Sequence, residues 1–452
     1  MLLFIRQASA NFLYVNVNGS APTPPYTNWS IAATNIQAAV DAASAGDTVL
    51  VTNGVYTIGG RNWFGSGTNR VTLTNSVTLR SVNGPAFTWI VGGHASSVLN
   101  ATRCVLMNNG SVVSGFTLTN GQAGGGNYPS GGGVSGGIAT NCILINNLAT
   151  NNLGGGAYRT TLINCKIIGN SAYEGGGASS CTLINCLVLS NTATANGGGV
   201  YGDSTSGTSS LTNCTIAGNS AVSTGGGVNI SGGGALENCI VYYNTAPSGS
   251  NYANIKLNYC CTTPILVSDI TCTTNPPLFV DFNGGNYRLQ SNSPCINTGG
   301  NTYAPSTADL DGRPRIIGST IDMGAYEFQT NASGAFIGWL QQNNLPADGS
   351  ADFADPDGDG MNNWQEFITG TNPTNTASVL AMTSAAPPSG SNPARIGWQG
   401  VSTRTYFLQR STNLTSGFSI IISNILGYDG ANLIYDTTAT NGGNYLYRIG
   451  VQ

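Results

Sequence analysis

The sequence predicts an all-β protein: a parallel β-helix, then a short helical loop module, then a small C-terminal β-sandwich. Three observations predict this fold. A Gly- and Asn-rich segment recurs at a nearly fixed spacing, which is typical of a solenoid. An acidic stretch follows a change of composition near residue 331. Short apolar runs separated by turn residues fill the last part of the chain, as in small β-sandwiches.

Composition excludes two classes of partner. Only 8% of the 452 residues are charged, and the formal net charge is −4. Nucleic-acid binding calls for a basic face, so we expect no nucleic-acid partner. No apolar run approaches the ~20 residues that span a bilayer, so we expect no membrane span. The many small amide and hydroxyl side chains are common in extracellular bacterial proteins.

The first ten residues, MLLFIRQASA, point to a compartment. A short apolar start is followed by Ala8-Ser9-Ala10, a pattern like that of a signal-peptide cleavage site. We interpret residues 1–10 as a signal-peptide remnant and predict a secreted or cell-surface location. The alternative is a chance ASA in an Ala-rich start, since the basic region is missing and Arg6 interrupts the apolar run.

The repeats carry the fold prediction for residues 11–330. Each copy has Asn-Cys at its first two positions and Asn at its seventh, and a degenerate sixth copy, SGFTLTN, begins at Ser114. The five clear copies begin at Asn141, Asn164, Asn185, Asn213 and Asn238. Glycine triplets begin at positions 131, 154, 175, 197 and 225. Self-similarity at this period predicts a solenoid of stacked units.

Each repeat is strand-like. Apolar residues such as Cys165 and Ile167 alternate with a period of two, which is a strand signal. A further apolar residue, such as Leu162, lies three positions before each cysteine, and a straight strand would put it on the opposite face. The chain must therefore bend at the intervening Asn, which tolerates the left-handed conformation. Short strands joined at corners make each unit one coil of a parallel β-helix.

Stacked coils lie ~4.8 Å apart, so equivalent side chains form ladders. We predict an interior ladder of small apolar thiols at Cys142, Cys165, Cys186, Cys214 and Cys239. We predict an amide ladder, in which each side chain bonds to the next, at Asn147, Asn170, Asn191, Asn219 and Asn244. The glycine triplets supply a turn where a side chain would clash or where φ must be positive.

The 11 cysteines raise the question of disulfides. The ladder cysteines occupy core positions, where a thiol behaves as a small hydrophobe and parallel stacking opposes disulfide geometry. We therefore expect these thiols to be reduced. Four cysteines lie outside the repeats and are the better place for a bridge, with the pairing left open: Cys260, Cys261, Cys272 and Cys295.

A helix-like stretch, NIQAAVDAASAG, begins at Asn35 and is expected to plug the open end of the first coil. With TVLVTNGVY after it, this pattern resembles pectate-lyase-like β-helix proteins. The later stretches NPPLFVDFNGGNYRLQSNSPCINTGG and DLDGRPRIIGSTIDMGAYEF resemble the closing segment of bacterial β-helix proteins of the choice-of-anchor Q family. This resemblance, over about residues 11–330, implies a right-handed parallel β-helix that is secreted or surface-attached.

The stretch DPDGDGMNNWQE, in a predicted linker at 331–376, fits the calcium-loop pattern D-x-[DN]-x-[DN]-G-x5-E at every position. Calcium takes roughly six to eight oxygen ligands, which such a loop supplies. The predicted ligands are Asp355, Asp357, Asp359, the carbonyl of Met361, Asn363 and Glu366. The segment resembles the EF-hand-like or thrombospondin-type-3-like calcium linkers of secreted bacterial proteins. The alternative is a plain Asp/Gly-rich turn.

Residues 377–452 are predicted to form a small β-sandwich, opening with the linker AAPPSGSNP. The five strand candidates are ARIGWQGV, TYFLQRSTNL, FSIIISNIL, NLIYDTTA and NYLYRIGVQ. Two roles are open for it: attachment or carbohydrate contact, and a capping or spacer module, which we favour. Trp398 and Tyr406 would support sugar binding if exposed and belong to the core if buried.

Acidic residues are too sparse in the repeats to predict catalysis. Between residues 101 and 268 they are Glu174, Asp203 and Glu237, whereas glycosidases usually need a carboxylate pair. Arg159 and Asp203 lie two coils apart, ~10 Å from each other, and Glu174 is expected on another face. We therefore predict a structural, adhesive or glycan-binding protein stiffened by calcium. The alternative is a polysaccharide lyase or glycoside hydrolase.

The insertion YGDSTSGTSS lengthens one coil, and insertions in solenoids often carry binding. We predict that Tyr201 and Asp203 border the ligand site. The expected partners are an extracellular glycan or a cell-surface component, with self-association of the rods as a further possibility.

Overall fold

The computed structural model divides the chain into two compact units, residues 1–328 (unit 1) and 329–452 (unit 2). The residues that the structure describes are 10–62, 67–95, 101–123, 130–265, 269–304, 308–317, 320–328, 334–346, 351, 354–389, 392–412, 418–439 and 445–451. The predicted signal-peptide remnant, residues 1–10, lies outside them except for Ala10.

Unit 1 is a parallel β-helix, as predicted, and successive coils add strands to three long sheets. Sheet 1 consists of Phe12–Val15, Thr48–Val51, Thr78–Ser81, Val112–Ser114, Ile138–Thr140, Thr161–Ile163, Thr182–Ile184, Ser210–Thr212, Ala235–Glu237 and Lys256–Asn258. Sheet 2 consists of Gly54–Tyr56, Thr88–Val91, Thr117–Thr119, Ile143–Ile145, Lys166–Ile168, Leu187–Leu189, Thr215–Ala217, Ile240–Tyr242 and Cys261–Thr262. The strands are short because a corner interrupts the chain after every few residues.

Sheet 3 consists of Arg61–Asn62, Thr68–Leu73, Thr102–Met107, Val134–Ser135, Ala157–Tyr158, Ala178–Ser179, Val200–Gly202, Val228–Ile230 and Tyr252–Ala253. Its first strand pairs antiparallel with the second, and the others pair in parallel. A shorter fourth sheet consists of Leu148–Leu153, Ser171–Glu174, Thr192–Ala193 and Ser220–Ala221. The apolar core fills the space that sheets 1 to 3 enclose.

Helix α1, Ile36–Ala42, packs into the core at the N-terminal end of the β-helix. The side chain of Asn35 accepts a hydrogen bond from the backbone N–H of Ala38 at 2.9 Å, which caps the helix. Ile36, Ala39, Val40 and the following Ala43 are buried in the core of unit 1. The helix therefore covers apolar surface that the first coil would otherwise expose.

The corners between sheets 1 and 2 take the left-handed conformation. The predicted corner residues, Asn141, Asn164, Asn185, Asn213 and Asn238, have φ values between 51° and 54°. The alignment of the degenerate copy is wrong by one residue. Thr117 pairs with Ile143, so Gly115, with φ 77°, forms the corner and Phe116 replaces the thiol. Glycine adopts this conformation without the steric cost that a Cβ adds.

The thiol ladder is confirmed. Its members are at most 1% exposed, and each Sγ donates to a carbonyl of the preceding coil, as Cys186 does to Leu162 at 3.5 Å. The ladder has one further rung, Cys260, which was predicted to lie outside the repeats. Tyr259 forms the corner there, with φ 53°, and the thiol of Cys260 donates to Leu236 at 3.4 Å. This copy was missed because Tyr replaces the Asn of the other copies.

The amide ladder is also confirmed and buried. In each rung, the backbone N–H and the Nδ2 donate to the Oδ1 of the Asn in the next coil, at 2.9 to 3.0 Å between Asn147 and Asn170. The same Nδ2 also donates to a carbonyl of the preceding coil, such as Leu118 at 2.9 Å. The ladder ends at Asn251, whose Oδ1 accepts from Asn244. The amides therefore pair with one another inside the β-helix.

The glycine triplets sit where coils approach too closely for a side chain. In the second triplet, Gly154 has φ 65°, and a Cβ built on it would lie 2.1 Å from the carbonyl oxygen of Ala157. A Cβ on Gly155 would lie 2.3 Å from the carbonyl oxygen of Ser171. Both separations are far below van der Waals contact, so only glycine fits.

The closing segment, residues 277–328, folds back over the outside of sheet 2. It contains the antiparallel strands Phe279–Asp281 and Asn286–Leu289 and a short helical turn, Asn301–Tyr303. Its apolar side chains cover the outward-facing Leu187, Leu189 and Ile240. The corner amide of Asn238 donates to the carbonyl of Gly300 at 3.1 Å and accepts from its N–H at 2.8 Å. The corner residues thus also dock this segment.

Unit 2 begins with two helices, α2 (Gly334–Gln342) and α3 (Asn363–Thr369), which pack through Phe336, Leu340 and their aromatic neighbours. Two three-stranded antiparallel sheets follow: Met382–Ala386, Ala394–Gly400 and Gly430–Asp436 in one, and Ser419–Leu426, Thr405–Ser411 and Leu446–Val451 in the other. Ile396 and Leu408 pack between them. The first strand was not predicted, because every residue of it is exposed and its apolar residues do not alternate.

The side chains of Trp398 and Tyr406 are 1% and 0% exposed and stack edge to face at 5.6 Å. They belong to the interior of unit 2, which removes them as candidates for sugar contact. Among the described residues, no helix combines the length and the apolar character that crossing a membrane requires.

Candidate functional sites

The acidic loop from Asp355 to Glu366 curls around its first carboxylate. Asp355 accepts a hydrogen bond from the N–H of Gly358 at 2.8 Å and another from the N–H of Gly360 at 3.0 Å. Both glycines have positive φ, 76° and 94°. These left-handed residues let the loop turn sharply enough to bring alternate side chains to one side.

Helix α3 fixes the end of the loop. The side chain of Asn362 accepts from the N–H of Gln365 at 3.0 Å, and the side chain of Gln365 accepts from the N–H of Asn362 at 2.9 Å. This reciprocal pair is a capping box. The cap starts the helix so that Asn363 and Glu366, one turn apart, are both fully buried.

Three aspartates converge in the loop. Asp355, Asp357 and Asp359 each offer one carboxylate oxygen, and these oxygens all lie within 4.8 Å of one another. Burial and the charges of the other two aspartates raise the pKa of Asp359. The arrangement can hold a metal ion, because a cation between these carboxylates would offset the repulsion between like charges so close together.

Glu366 lies fully buried beside this group, and neither of its oxygens has a hydrogen-bond partner of normal geometry. Burial first, and then the charges of Asp357, Asp359 and Asp355, raise the pKa of Glu366 to about 8. The hydroxyl of Thr371 lowers that pKa by less than these causes raise it. A buried carboxylate without a partner is costly unless a cation or a proton neutralises it.

Further unpaired oxygens belong to the same group: Oδ2 of Asp357, Oδ2 of Asp359 and Oδ1 of Asn363. The sulfur of Met361 accepts from the N–H of Leu380 at 3.3 Å, which leaves the main-chain carbonyl as the ligand that the loop pattern predicts at this position. All the predicted donors are oxygens, the ligands that hard divalent cations prefer. The residues present therefore fit a divalent cation that is bound through oxygen atoms.

A second candidate site lies on the outer side of sheet 3. Val134, Ala157, Ala178, Val200 and Val228 of this sheet point into the core. Their neighbours in register, which therefore face outward, form one row: Ser135, Tyr158, Ser179, Tyr201 and Asn229. The guanidinium of Arg159 lies over the ring of Tyr158 at 5.2 Å.

Asp203 organises the turn that follows this row. Its Oδ2 accepts from the hydroxyl of Tyr201 at 2.8 Å, and its Oδ1 accepts from the N–H and hydroxyl groups of both Thr205 and Ser206. Burial alone would raise the pKa of Asp203, but these hydrogen bonds outweigh burial and hold it well below its usual range. The carboxylate of Asp203 is thus occupied by hydrogen bonds within the turn. Of the two residues predicted to border the ligand site, Tyr201 is therefore the one whose side chain can contact a ligand.

Arg159 and Glu174 also reach this turn. The guanidinium of Arg159 donates to the carbonyl of Ser206 at 3.0 Å and so spans the two coils that separate it from Asp203. Burial, followed by the influence of Asp203 and Glu174, raises the pKa of Tyr201. Glu174 lies on another face, as expected, because it ends a strand of the fourth sheet. That sheet ends beside sheet 3, however, and brings Glu174 next to Tyr201.

Comparison with solved structures finds a pectate lyase, Pel9A, with 16% identity and a TM-score of 0.40 over 71% of this chain and 97% of that chain. A likeness this weak carries nothing about activity, and the assignment of the β-helix rests on the sheets of unit 1 themselves. No family model matches the chain. No curated protein matches it. The resemblance of the closing segment to the choice-of-anchor Q family therefore stays a prediction.

Proposed function

We propose that this chain is a secreted or cell-surface β-helix protein with a structural or glycan-binding role, stiffened by calcium at the joint to its C-terminal β-sandwich. The observation that carries the proposal is Glu366, whose two buried, unpaired oxygens lie beside three converging aspartates. A calcium ion bound there would neutralise charges that otherwise repel.

Calcium would stiffen unit 2 because the loop is tied to the β-sandwich. The guanidinium of Arg404, from the sandwich, donates to the carbonyls of Phe367 and Ile368 at the end of helix α3, each at 2.6 Å. Fixing Glu366 on the ion would therefore fix the helix that the sandwich contacts. Without the ion, we expect the loop to open, since four carboxylates crowd one site.

Isothermal titration calorimetry with calcium chloride tests the metal site. The chelated wild-type protein is expected to bind one ion with a Kd of ~10⁻⁴ to 10⁻³ M, the range of extracellular modules. The double variant Asp357→Asn, Glu366→Gln should lose this binding, whereas Asp429→Asn, which alters an exposed carboxylate outside the loop, should keep it. If the double variant bound calcium with the same Kd as wild type, the proposed metal site would be contradicted.

The glycan-binding part of the proposal rests on the outward row of sheet 3. Tyr158 and Tyr201 lie two coils apart in that row, ~10 Å from each other, and both are half-buried, whereas Ser179 between them is fully buried. A tyrosine side chain combines an apolar ring with a hydroxyl group that forms hydrogen bonds, which suits sugars.

Binding to immobilised neutral and acidic polysaccharides tests this part separately. Tyr201→Ala should weaken any binding that wild type shows, and Tyr428→Ala, which alters an exposed tyrosine of unit 2, should not. The same polysaccharides should be followed by ultraviolet absorbance for unsaturated products. Their appearance would support the alternative, a polysaccharide lyase, and would overturn a binding role.

A further inference from the structure

The outer face of sheet 1 carries two straight rows of side chains. The central residue of each short strand, such as Leu162 or Leu183, lies in the core, so the residues on either side of it face outward. The row next to the corner asparagines runs in register across seven successive strands, and we call it the corner row. Its members are Arg80, Ser114, Thr140, Ile163, Ile184, Thr212 and Glu237.

This face is apolar but has no partner among the described residues. Ile163 and Ile184 of the corner row, and Val112 and Ile138 of the row beside it, are half-buried and belong to none of the apolar clusters found in the described part of the chain. The outward residues of sheet 2, such as Leu187, are in contrast covered by the closing segment. An apolar sheet face that stays accessible is typical of an interaction surface.

The two charges of the corner row stand at its opposite ends. Arg80 is exposed at one end, and Glu237 is half-buried at the other, where it accepts from the hydroxyl of Thr212 at 3.3 Å. They lie six strands apart, ~29 Å at the spacing of paired strands, and Ile163 is three strands from each. The row is therefore positive at one end, negative at the other and uncharged between them.

Such a row is complementary to itself. A two-fold axis parallel to the strands and passing over Ile163 lays a second copy on the face with the order of its coils reversed. Arg80 of each copy then lies opposite Glu237 of the other, so both ends of the contact join opposite charges. Lys256, one coil beyond Glu237, lies opposite the uncharged Thr48.

Other occupants fit the face less well. A two-fold axis along the rod would put Arg80 opposite Thr78 and leave both end charges without a partner. The corner row has no aromatic ring between Arg80 and Glu237, whereas sugar contact commonly uses one. Two flat sheet faces, in contrast, pack well on each other, ~10 Å apart.

We propose that unit 1 pairs with a second copy of this chain through the outer face of sheet 1, with the two rods antiparallel and with Arg80–Glu237 contacts at both ends. The acidic loop and the outward row of sheet 3 take no part in this contact, so the inference goes beyond the proposed function. The face is narrow, which makes the dimer weak and reversible.

Sedimentation equilibrium of the full-length protein, from micromolar to near-millimolar concentration, measures this association. No calcium or polysaccharide is added, so the result is independent of the proposed function. Wild type should dimerise as its concentration rises. Arg80→Glu and Glu237→Arg should each raise the dimer Kd at least ~10-fold, because both end contacts then join like charges. Arg395→Glu, which reverses an exposed charge of unit 2, should leave the Kd unchanged.

A mixture of the two variants tests the antiparallel arrangement itself. When Arg80→Glu pairs with Glu237→Arg, each end contact again joins opposite charges, so the mixture should dimerise with a Kd close to that of wild type. Circular dichroism during heating checks that both variants are folded. Monomeric wild type at every concentration, dimerisation of Arg80→Glu equal to that of wild type, or a monomeric mixture of folded variants would overturn the proposal. Arg80 is exposed, so its variant decides the second outcome even if Glu237→Arg folds poorly.

Discussion

At the scale of single residues, two asparagines of each repeat have different structural roles. The first Asn uses its backbone, taking the left-handed conformation that turns the chain from sheet 1 to sheet 2. The seventh Asn uses its side chain. In the central coil, Asn191 accepts from the N–H and the Nδ2 of Asn170 and donates to Asn219 and Ile167, each at 2.9 Å. Burying an amide whose hydrogen-bonding groups are all paired costs little free energy of folding. Removing that amide leaves its buried partners without hydrogen bonds.

Replacing Asn191 with Ala should therefore destabilise unit 1 by about 2–4 kcal/mol, because buried partners are left unpaired on both sides at ~1–3 kcal/mol each. The matched control is Thr182→Ala, which removes an exposed hydroxyl from a neighbouring strand and should change stability by less than ~0.5 kcal/mol. Equilibrium unfolding in urea measures both. Equal midpoints for the two variants would contradict the energetic role given to the amide ladder.

At the scale of elements, the closing segment is held by buried carboxylates rather than by long strands. Glu327 accepts from the N–H groups of Ile317 and Asp322 at 3.1 and 3.0 Å. Asp322 accepts in turn from the N–H of Asn297 at 2.7 Å, and Asp309 accepts from the N–H of Glu327 at 2.9 Å. Each carboxylate satisfies backbone groups that an irregular segment would otherwise bury unpaired.

This arrangement makes the stability of unit 1 depend on pH. Burial first, then the charge of Asp322, raises the pKa of Glu327 from 4.5 to about 8, and burial raises that of Asp322 from 3.8 to about 6. The folded state therefore binds these protons more tightly than the unfolded state does. The stabilisation that follows is complete at low pH, and it is lost as pH rises through about 6 and then about 8.

The free energy of unfolding of Glu327→Gln should fall less steeply than that of wild type as pH rises from about 5 to about 8, because Gln stays neutral. Urea unfolding across this range measures the two slopes. Parallel pH profiles for wild type and Glu327→Gln would contradict the role assigned to the Glu327 carboxylate.

At the scale of the whole molecule, the chain combines two units whose stabilities have different sources. Unit 1 is held by repeated ladders along its core. The acidic loop, in contrast, belongs to unit 2, through the contact of Arg404 with helix α3. A ligand of that loop should therefore stabilise unit 2 by mass action and leave unit 1 unchanged.

Calorimetry should show two transitions. Calcium at 100 times its Kd should stabilise unit 2 by ~2.7 kcal/mol and so raise the temperature of the transition that belongs to this unit. A chelator should lower that transition only, and Asn191→Ala should lower the other only, which assigns each transition to its unit. A chelator that shifts both transitions equally, or neither, would contradict this division.

The β-helix could be predicted from the sequence, because the signals for it are local. The period, the corner asparagines and the glycine triplets report backbone conformation and stacking within one coil and its neighbour, and they place most rungs correctly. The acidic pattern likewise places Asp355, Asp357 and Asp359 together, since alternate positions of one tight loop face the same side. Geometry that depends only on residues close together in the chain can be predicted from the order of those residues.

Features that depend on segments far apart in the chain became visible in the folded protein and could not be predicted from the sequence. The burial of Glu366 without partners and the position of Glu174 beside Tyr201 arise from packing between layers. The rung at Cys260 was likewise not predictable from the sequence, because the stacked coils impose a corner conformation on Tyr259 there. Packing energy outweighs local preference at such positions, so the residue type alone does not reveal them.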